Sequence, residues 1–358
     1  MLFARASYSR RSRSMKYRSR RHIVCIVAFA FILYALKLSK MAILTNAPSG
    51  SSTNTNRQTG ALPSTQELIE AIEGEKERAF IATVPLTMWS SDFHISPVSD
   101  IKYITSKLSN DVKIIDKSLS GHCHLTNSCA RDLRIVNTHN GISLSNCPNK
   151  LKRQFYNDYK CDSEFQSVDA FLCTHANSMC ELYMPFNTTL IVIVSTRYEI
   201  GRHDPQRWIE WNENLKRISL NKNNVIAANN KYDQEYLRYF TGIKDILLLP
   251  SYCGYITDRY RPTRSGYLLA PARGVSGKLS AILFDALAEH RAANKGSAAV
   301  TITHIRDLYP HYKYADLSAH QGVVLLPYQV SFMSFFELYR MEIPMFAPSP
   351  ELLAKVSR

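Results

Sequence analysis

The sequence predicts an α/β protein built from two doubly wound units in tandem, and three observations carry that expectation. From Val168 to Pro250 apolar runs alternate with amphipathic runs: VDAFLCTH, TLIVIVSTRY, QRWIEWNENLKRISL, NVIAANN, a helix over Asp233–Phe240 stopped by Gly242, and ILLLP. From Gly266 a second alternation begins with GYLLAPARGVSGK, continues through a helix over Lys278–Ala293 and a strand over 298–303, and ends in GVVLLPYQVSFMSFFELYRMEIPMFAPS. Between them, CGYITDRYRPTRS is rich in arginine and holds Pro262, the composition of a hinge. Strands such as VVLLP and IPMFAP are apolar without alternation, as in a parallel sheet buried on both faces. Strand, helix, strand in succession is the signature of such a sheet.

The chain has 358 residues, enough for two ordinary cores, since a single core stops growing at roughly 250–300 residues. The formal charge of +14 is concentrated at the start. Arg5, Arg10, Arg11, Arg13, Lys16, Arg18, Arg20 and Arg21 precede His22 with no acid among them, which leaves +6 for everything else. The folded part is therefore too weakly basic for the net charge to argue for nucleic-acid binding. Residues 1–22 read as a basic cytosolic tail and 23–44 as an uncleaved signal-anchor. With the basic flank held in the cytosol, the body is expected to lie in the lumen as a single-pass type II membrane protein. A short apolar span favours the thinner ER or Golgi membrane over the cell surface. Residues 45–65, almost without apolar side chains, read as a flexible stem. The two units then occupy 66–252 and 253–358.

Taken in order, the first lumenal strand is expected over Ala79–Leu86, followed by the loop TMWSSDFHISP, a helix over Val98–Leu108 and the strand Val112–Asp116. The pattern then lapses until Ser167. Cys123, Cys129, Cys147 and Cys161 fall in that polar stretch, and with Cys173, Cys180 and Cys253 they make seven lumenal cysteines, disulfide candidates in an oxidising compartment. Zinc on these residues with His122 and His124 is the weaker alternative, because paired C-x-x-C spacing is missing. Asn187-Thr188-Thr189 is an acceptor sequence for N-glycosylation.

Ligands of doubly wound sheets bind beyond the carboxyl ends of the strands. On the first unit that rule selects His94 and Asp92, either of which is a candidate base for deprotonating an acceptor hydroxyl, with a nearby carboxylate suited to orient the histidine. It also selects Arg197, Tyr198 and Glu199, expected to line the acceptor side. On the second unit Arg273 and Lys278 flank a glycine turn opening a helix, where two cations and free backbone N–H groups suit a diphosphate. A Walker loop is excluded, because Ala272 stands where it needs glycine and Leu279 where it needs Ser or Thr. Ser331 and Ser334 lie at the mouth of the last strand–helix turn, and Glu337 offers two acceptor oxygens to a pair of ribose hydroxyls. The competing reading of Glu337 is a surface carboxylate paired with Arg340 one turn on. The spacing of Trp208 and Trp211 suits core packing better than sugar platforms. No Asp-x-Asp occurs, so a metal-bound donor lacks its usual carboxylates, and no metal or other cofactor is expected. No G-x-S-x-G elbow occurs either, against an α/β-hydrolase.

The stretch GYLLAPARGVSGK resembles the donor-side turn of retaining and exostosin-like glycosyltransferases of the GT-B fold. SFFELYRMEIPMFAP resembles their S-x-x-E-x-x-x-x-x-x-P element. The resemblance implies two Rossmann-like units, with Arg273 and Lys278 on a donor diphosphate and Ser334 and Glu337 on the donor ribose. It further implies metal-independent transfer of a sugar from a nucleotide diphosphate to a glycan or glycoprotein hydroxyl. Glu342-Ile343-Pro344 stands where that family has Gly-Xaa-Pro, and the family continues beyond this element, so the second unit is expected to be incomplete at Arg358. Two alternatives are an anchored carbohydrate-binding or scaffold protein and a Golgi sulfotransferase. The latter lacks a Gly-Lys phosphate loop after the first strand.

Overall fold

A computed structural model describes residues 85–108, 111–138, 148–195, 204–271, 278–293, 300–327 and 332–356. The tail, anchor, stem and the first stretch of the expected opening strand lie outside these residues, as do Arg197, Tyr198, Glu199, Arg273 and Ser331. Among the described residues, no helix is long and apolar enough to cross a membrane.

The first strand among the described residues is β1, Leu86–Ser90, which meets the expected opening strand at Leu86. LTMWS is the strand because it supplies an apolar residue to each face of the sheet: Met88 to one and Trp89 to the other. Helix α1, Ile95–Leu108, starts two residues before Pro97, where a missing N–H costs nothing in a first turn. β2, Val112–Asp116, falls as expected. The polar stretch that followed is not devoid of structure. α2, Pro148–Tyr159, places Leu151, Phe155 and Tyr159 at i, i+4, i+8 and buries all three, and the short α3, Ser163–Gln166, buries Phe165. These helices escaped notice because charged residues outnumber the single apolar stripe.

The remaining first-unit elements follow the alternation seen in the sequence. β3 spans Ala170–Cys173, the short α4 Cys180–Tyr183, β4 Thr189–Val194, α5 Pro205–Leu220, β5 Val225–Ala228, α6 Lys231–Thr241 and β6 Leu247–Leu248. Asp204 caps α5 by accepting the Arg207 N–H at 3.1 Å, Pro205 opens it, and Gly242 closes α6 in the left-handed region at φ 73°. The six strands form one parallel sheet in the order β2-β1-β3-β4-β5-β6. Alternate residues go to opposite faces. Met88, Ala170, Leu172, Ile191 and Ile193 meet Val98, Ile101 and Ile104 of α1. Trp89, Phe171, Val192 and Val194 meet Phe155 of α2 and Trp211 and Leu215 of α5. Trp211 is fully buried and Trp208 partly so, in keeping with core rather than platform roles.

The second unit comprises β7, Tyr267–Ala270; α7, Lys278–Ala293; β8, Ile302–His304; the short helices α8, Ile305–Leu308, and α9, Tyr314–Ser318; β9, Gly322–Leu325; α10, Met333–Arg340; β10, Met345–Phe346; and α11, Pro350–Val356. Its four parallel strands run β10-β9-β7-β8. In each sheet the first strand of the unit lies between the second and the third. The chain therefore reverses its winding between β1 and β3, and again between β7 and β9. These are the topological switch points where such sheets bind ligands.

Cys123 is bonded to Cys129 and Cys173 to Cys180, so the cysteines beside His122 and His124 do not form a zinc site. Cys161 is exposed and Cys253 buried, both as free thiols. Cys147 lies outside the described residues.

Candidate functional site at the seam between the sheets

At the first switch point β1 runs into Ser91–His94 and β3 into Thr174–Asn177. Two half-buried histidines, His94 and His175, meet there with ring centroids 4.1 Å apart and planes inclined by 34°. The backbone locks the pair, since the Phe93 N–H donates to the His175 carbonyl at 2.6 Å. Burial lowers the basicity of His94, and His175 and His122 lower it further; burial takes His175 down to about 4. Both rings are therefore neutral near pH 7, the form that accepts a proton. His94 Nδ1 is buried with no protein partner.

Asp92 does not orient His94 as the sequence suggested. It is fully buried, its Oδ1 accepts the Ser118 hydroxyl at 3.0 Å, and its carbonyl accepts the Leu119 N–H at 2.7 Å. Burial and then the neighbouring Asp116 push its carboxyl well above the usual range. Asp116, the last residue of β2, is also pushed up by burial, against the pull of Lys102 at 3.4 Å. Two buried carboxyls this strongly linked hold a proton between them rather than two full charges. Asp92 is thus a protonated partner of Asp116, and the group facing His94 is His175. His175 could have been found by the rule that found His94, because it ends the predicted strand VDAFLCTH.

The second unit meets this edge through α10. Ser96, in the first turn of α1, donates to Glu337 Oε1 at 2.6 Å; Tyr255 donates to the same oxygen at 2.7 Å and Tyr314 at 3.1 Å. Glu337 is buried and does not pair with Arg340, whose guanidinium lies 4.9 Å over the Tyr252 ring. Burial raises the Glu337 carboxyl, and its three hydroxyl donors oppose that rise. One residue earlier than Ser334, Met333 Sδ accepts the Asn229 amide at 3.0 Å, just beyond the carboxyl end of β5. Ser334 itself is half-buried in the first turn of α10. Further along the seam Arg306 donates to His122 Nε2 at 2.8 Å, and His124 Nε2 lies 3.3 Å from the Tyr312 carbonyl. The carboxyl ends of the two sheets therefore converge. Nothing in the local sequence marks Ser96, His122, Tyr255, Arg306 or Tyr314 as neighbours, because they come from five separate segments.

The hinge is gripped from the first unit as well. Asp100 accepts the N–H of Tyr252 at 2.9 Å and of Gly254 at 3.1 Å. Burial pushes its carboxyl up to about 7 despite these bonds. Gly254 is required there, since a Cβ would lie 2.4 Å from the rings of Tyr103 and Tyr252.

Lys278 begins α7, and its side chain lies outside the described residues with the loop 272–277. Among the described residues, no group of three His, Cys, Asp or Glu is arranged to hold a metal ion. Two cavities open away from the seam, over α2 and α3: one of about 180 Å³ between Lys117, Arg134 and Glu164, and one of about 260 Å³ between Tyr156, Phe186 and Thr188. No family model, no curated protein and no solved structure matches the chain.

Proposed function

We propose that the protein is a glycosyltransferase of GT-B architecture that moves a sugar from a nucleotide diphosphate to a hydroxyl of a glycan or glycoprotein. The observation that carries this reading is the convergence of two switch points on one seam, with the Glu337 carboxylate at its centre. A nucleotide between two such sheets meets neutral histidines on one side and, on the other, the starts of α7 at Lys278 and α10 at Met333.

In this reading the ribose takes the place of Ser96 and Tyr255 on Glu337 as the seam opens. Arg273 and Lys278 stabilise the departing diphosphate, so that no metal is required for that step. His94, neutral and packed against His175, accepts the proton of the acceptor hydroxyl, and Arg197, Tyr198 and Glu199 border the acceptor. The basic tail and apolar segment support a lumenal ER or Golgi setting for this chemistry, one that suits two disulfides.

The test is thermal unfolding of the full chain with UDP, GDP, their sugar conjugates and the adenylyl sulfate donor. A nucleotide diphosphate at a hundred times its Kd is expected to add about 2.7 kcal/mol to stability. Glu337→Gln, which keeps the acceptor oxygen but not the charge, should weaken that gain. Stabilisation by the sulfate donor alone would replace this reading with a sulfotransferase. Binding of glycan without any nucleotide would leave a carbohydrate-binding scaffold.

A further inference from the structure

The glycosylation acceptor Asn187 sits in a setting that the seam does not explain. Asn187 is exposed in a left-handed turn, φ 52° and ψ 31°, between a helical turn ending at Phe186 and the start of β4 at Thr189. Both of its neighbours, Phe186 and Thr188, line the cavity of about 260 Å³, and Tyr156, Lys160 and Gln166 are among the other residues of its wall. Phe186 and Tyr156 are each half-buried and meet edge to face at 5.1 Å. Phe186 also packs against Phe155, Phe165 and Phe171, so the two rings present their rims to a cavity whose open surface is more polar than apolar. The Lys160 ammonium lies 5.9 Å from the Tyr156 ring, and the Gln166 side chain is exposed.

We infer that Asn187 carries an N-linked glycan whose first N-acetylhexosamine is seated in this cavity. Aromatic rims pack against the C–H surface of a sugar ring and its acetamido methyl, while an ammonium and a carboxamide serve its hydroxyls and amide. In the modification, the Asn187 Nδ2 forms a bond to the anomeric carbon of a lipid-diphosphate oligosaccharide. The lipid diphosphate leaves with the bonding electrons, and the amide loses one proton. The attachment point and the seat belong to adjacent residues, so the sugar docks as a tethered group without the loss of freedom of a separate ligand. The inference rests on the lumenal reading, not on the transferase reading.

The experiment uses the full chain made in a eukaryotic secretory host, together with Thr189→Ala, which removes the acceptor sequence while keeping Asn187. Tyr156→Ala is made in both backgrounds. Mass spectrometry of the Asn187 peptide is expected to show a hexosamine-containing adduct. The glycosylated chain should melt about 2–4 °C above its Thr189→Ala counterpart. That difference should survive trimming of the glycan to a single N-acetylglucosamine and should shrink in the Tyr156→Ala pair to the effect of Thr189 alone, which cancels when one pair is subtracted from the other. A glycan at Asn187 with the same melting difference with and without Tyr156 would overturn the seat. An engineered acceptor, made by Asn223→Thr at exposed Asn221, separates the remaining cases. If that site is modified and Asn187 is not, the inference falls and the lumenal reading stands; if neither is modified, both fall.

Discussion

The two units use one winding scheme but differ in how completely their sheets are enclosed. In the first, α1 covers one face of six strands and α2, α5 and α6 cover the other, so that Phe171, Leu172, Val192 and Trp211 are excluded from water altogether. In the second, one face of four strands is packed by Ile305, Tyr314, Leu317 and Leu338, while the other rests on α7, which buries Leu283 but leaves Ile282 and Phe284 more than a third exposed. The first unit thus has a core able to hold ionisable groups at its carboxyl edge. The second depends more on the seam. A sheet with one thin face tolerates movement against its neighbour, as a cleft that admits a ligand requires.

The widest separation between the units is expected from core truncation. Phe171→Ala should cost about 3–5 kcal/mol, whereas Leu283→Ala, at a face that is already partly wet, should fall near the lower end of the range of about 2–5 kcal/mol for such changes. Urea unfolding gives both numbers. Amide exchange should show β7–β10 opening before β1, β3 and β4, and equal protection of the two sheets would break the contrast.

The next effect concerns the junction, where each unit contributes one buried carboxyl, Asp100 from the first and Glu337 from the second. Asp100 titrates at about 7 in the folded chain against a reference of 3.8. The folded state therefore holds the extra proton between those values. Its contribution to stability is complete below about pH 4 and is lost as pH rises through 7. At ~1.4 kcal/mol for each unit, that loss is on the order of 4 kcal/mol. The difference in unfolding free energy between the wild type and Asp100→Asn, which cannot titrate, should fall by about that amount between pH 4 and 7, because the other buried groups, Asp92, Asp116, Glu337, His94 and His175, titrate in both chains and cancel. A difference that stays constant with pH would mean that Asp100 does not hold the proton.

The smallest effect lies in the turn between α10 and β10. Glu342 has φ 67°, in the left-handed region that glycine occupies without strain. It is also the position at which the resembling transferases carry glycine. Glu342→Gly is expected to leave stability unchanged or raise it by at most ~1 kcal/mol, read as a small upward shift in melting temperature. A clear loss would show that the Glu342 side chain holds that turn through its own contacts.

Much of this was legible in one dimension. The apolar runs at β2, β4, β5, β7 and β9 and the helix at Lys278–Ala293 follow from composition and period alone, because a strand buried on both faces has few alternatives to Val, Ile and Leu. The rule that ligands gather at strand ends was enough to single out His94. Two things were not legible. That Thr87–Ser90 are strand rather than loop was hidden, because Trp89 makes sense only against Phe155, Phe165 and Tyr183, which come from later segments. The partners at the seam were equally hidden: His175 for His94, Asp116 for Asp92, and Ser96, Tyr255 and Tyr314 for Glu337. Sequence by itself determined the strands and helices with strong apolar runs, such as β4, β5, β7, β9 and α7, since local periodicity and burial decide them, but not the polar helices α2 and α3. Only the tertiary structure decided which polar groups meet, because the bond from Ser96 to Glu337 joins residues 241 positions apart, a pairing set by how two sheets dock and not by any local pattern.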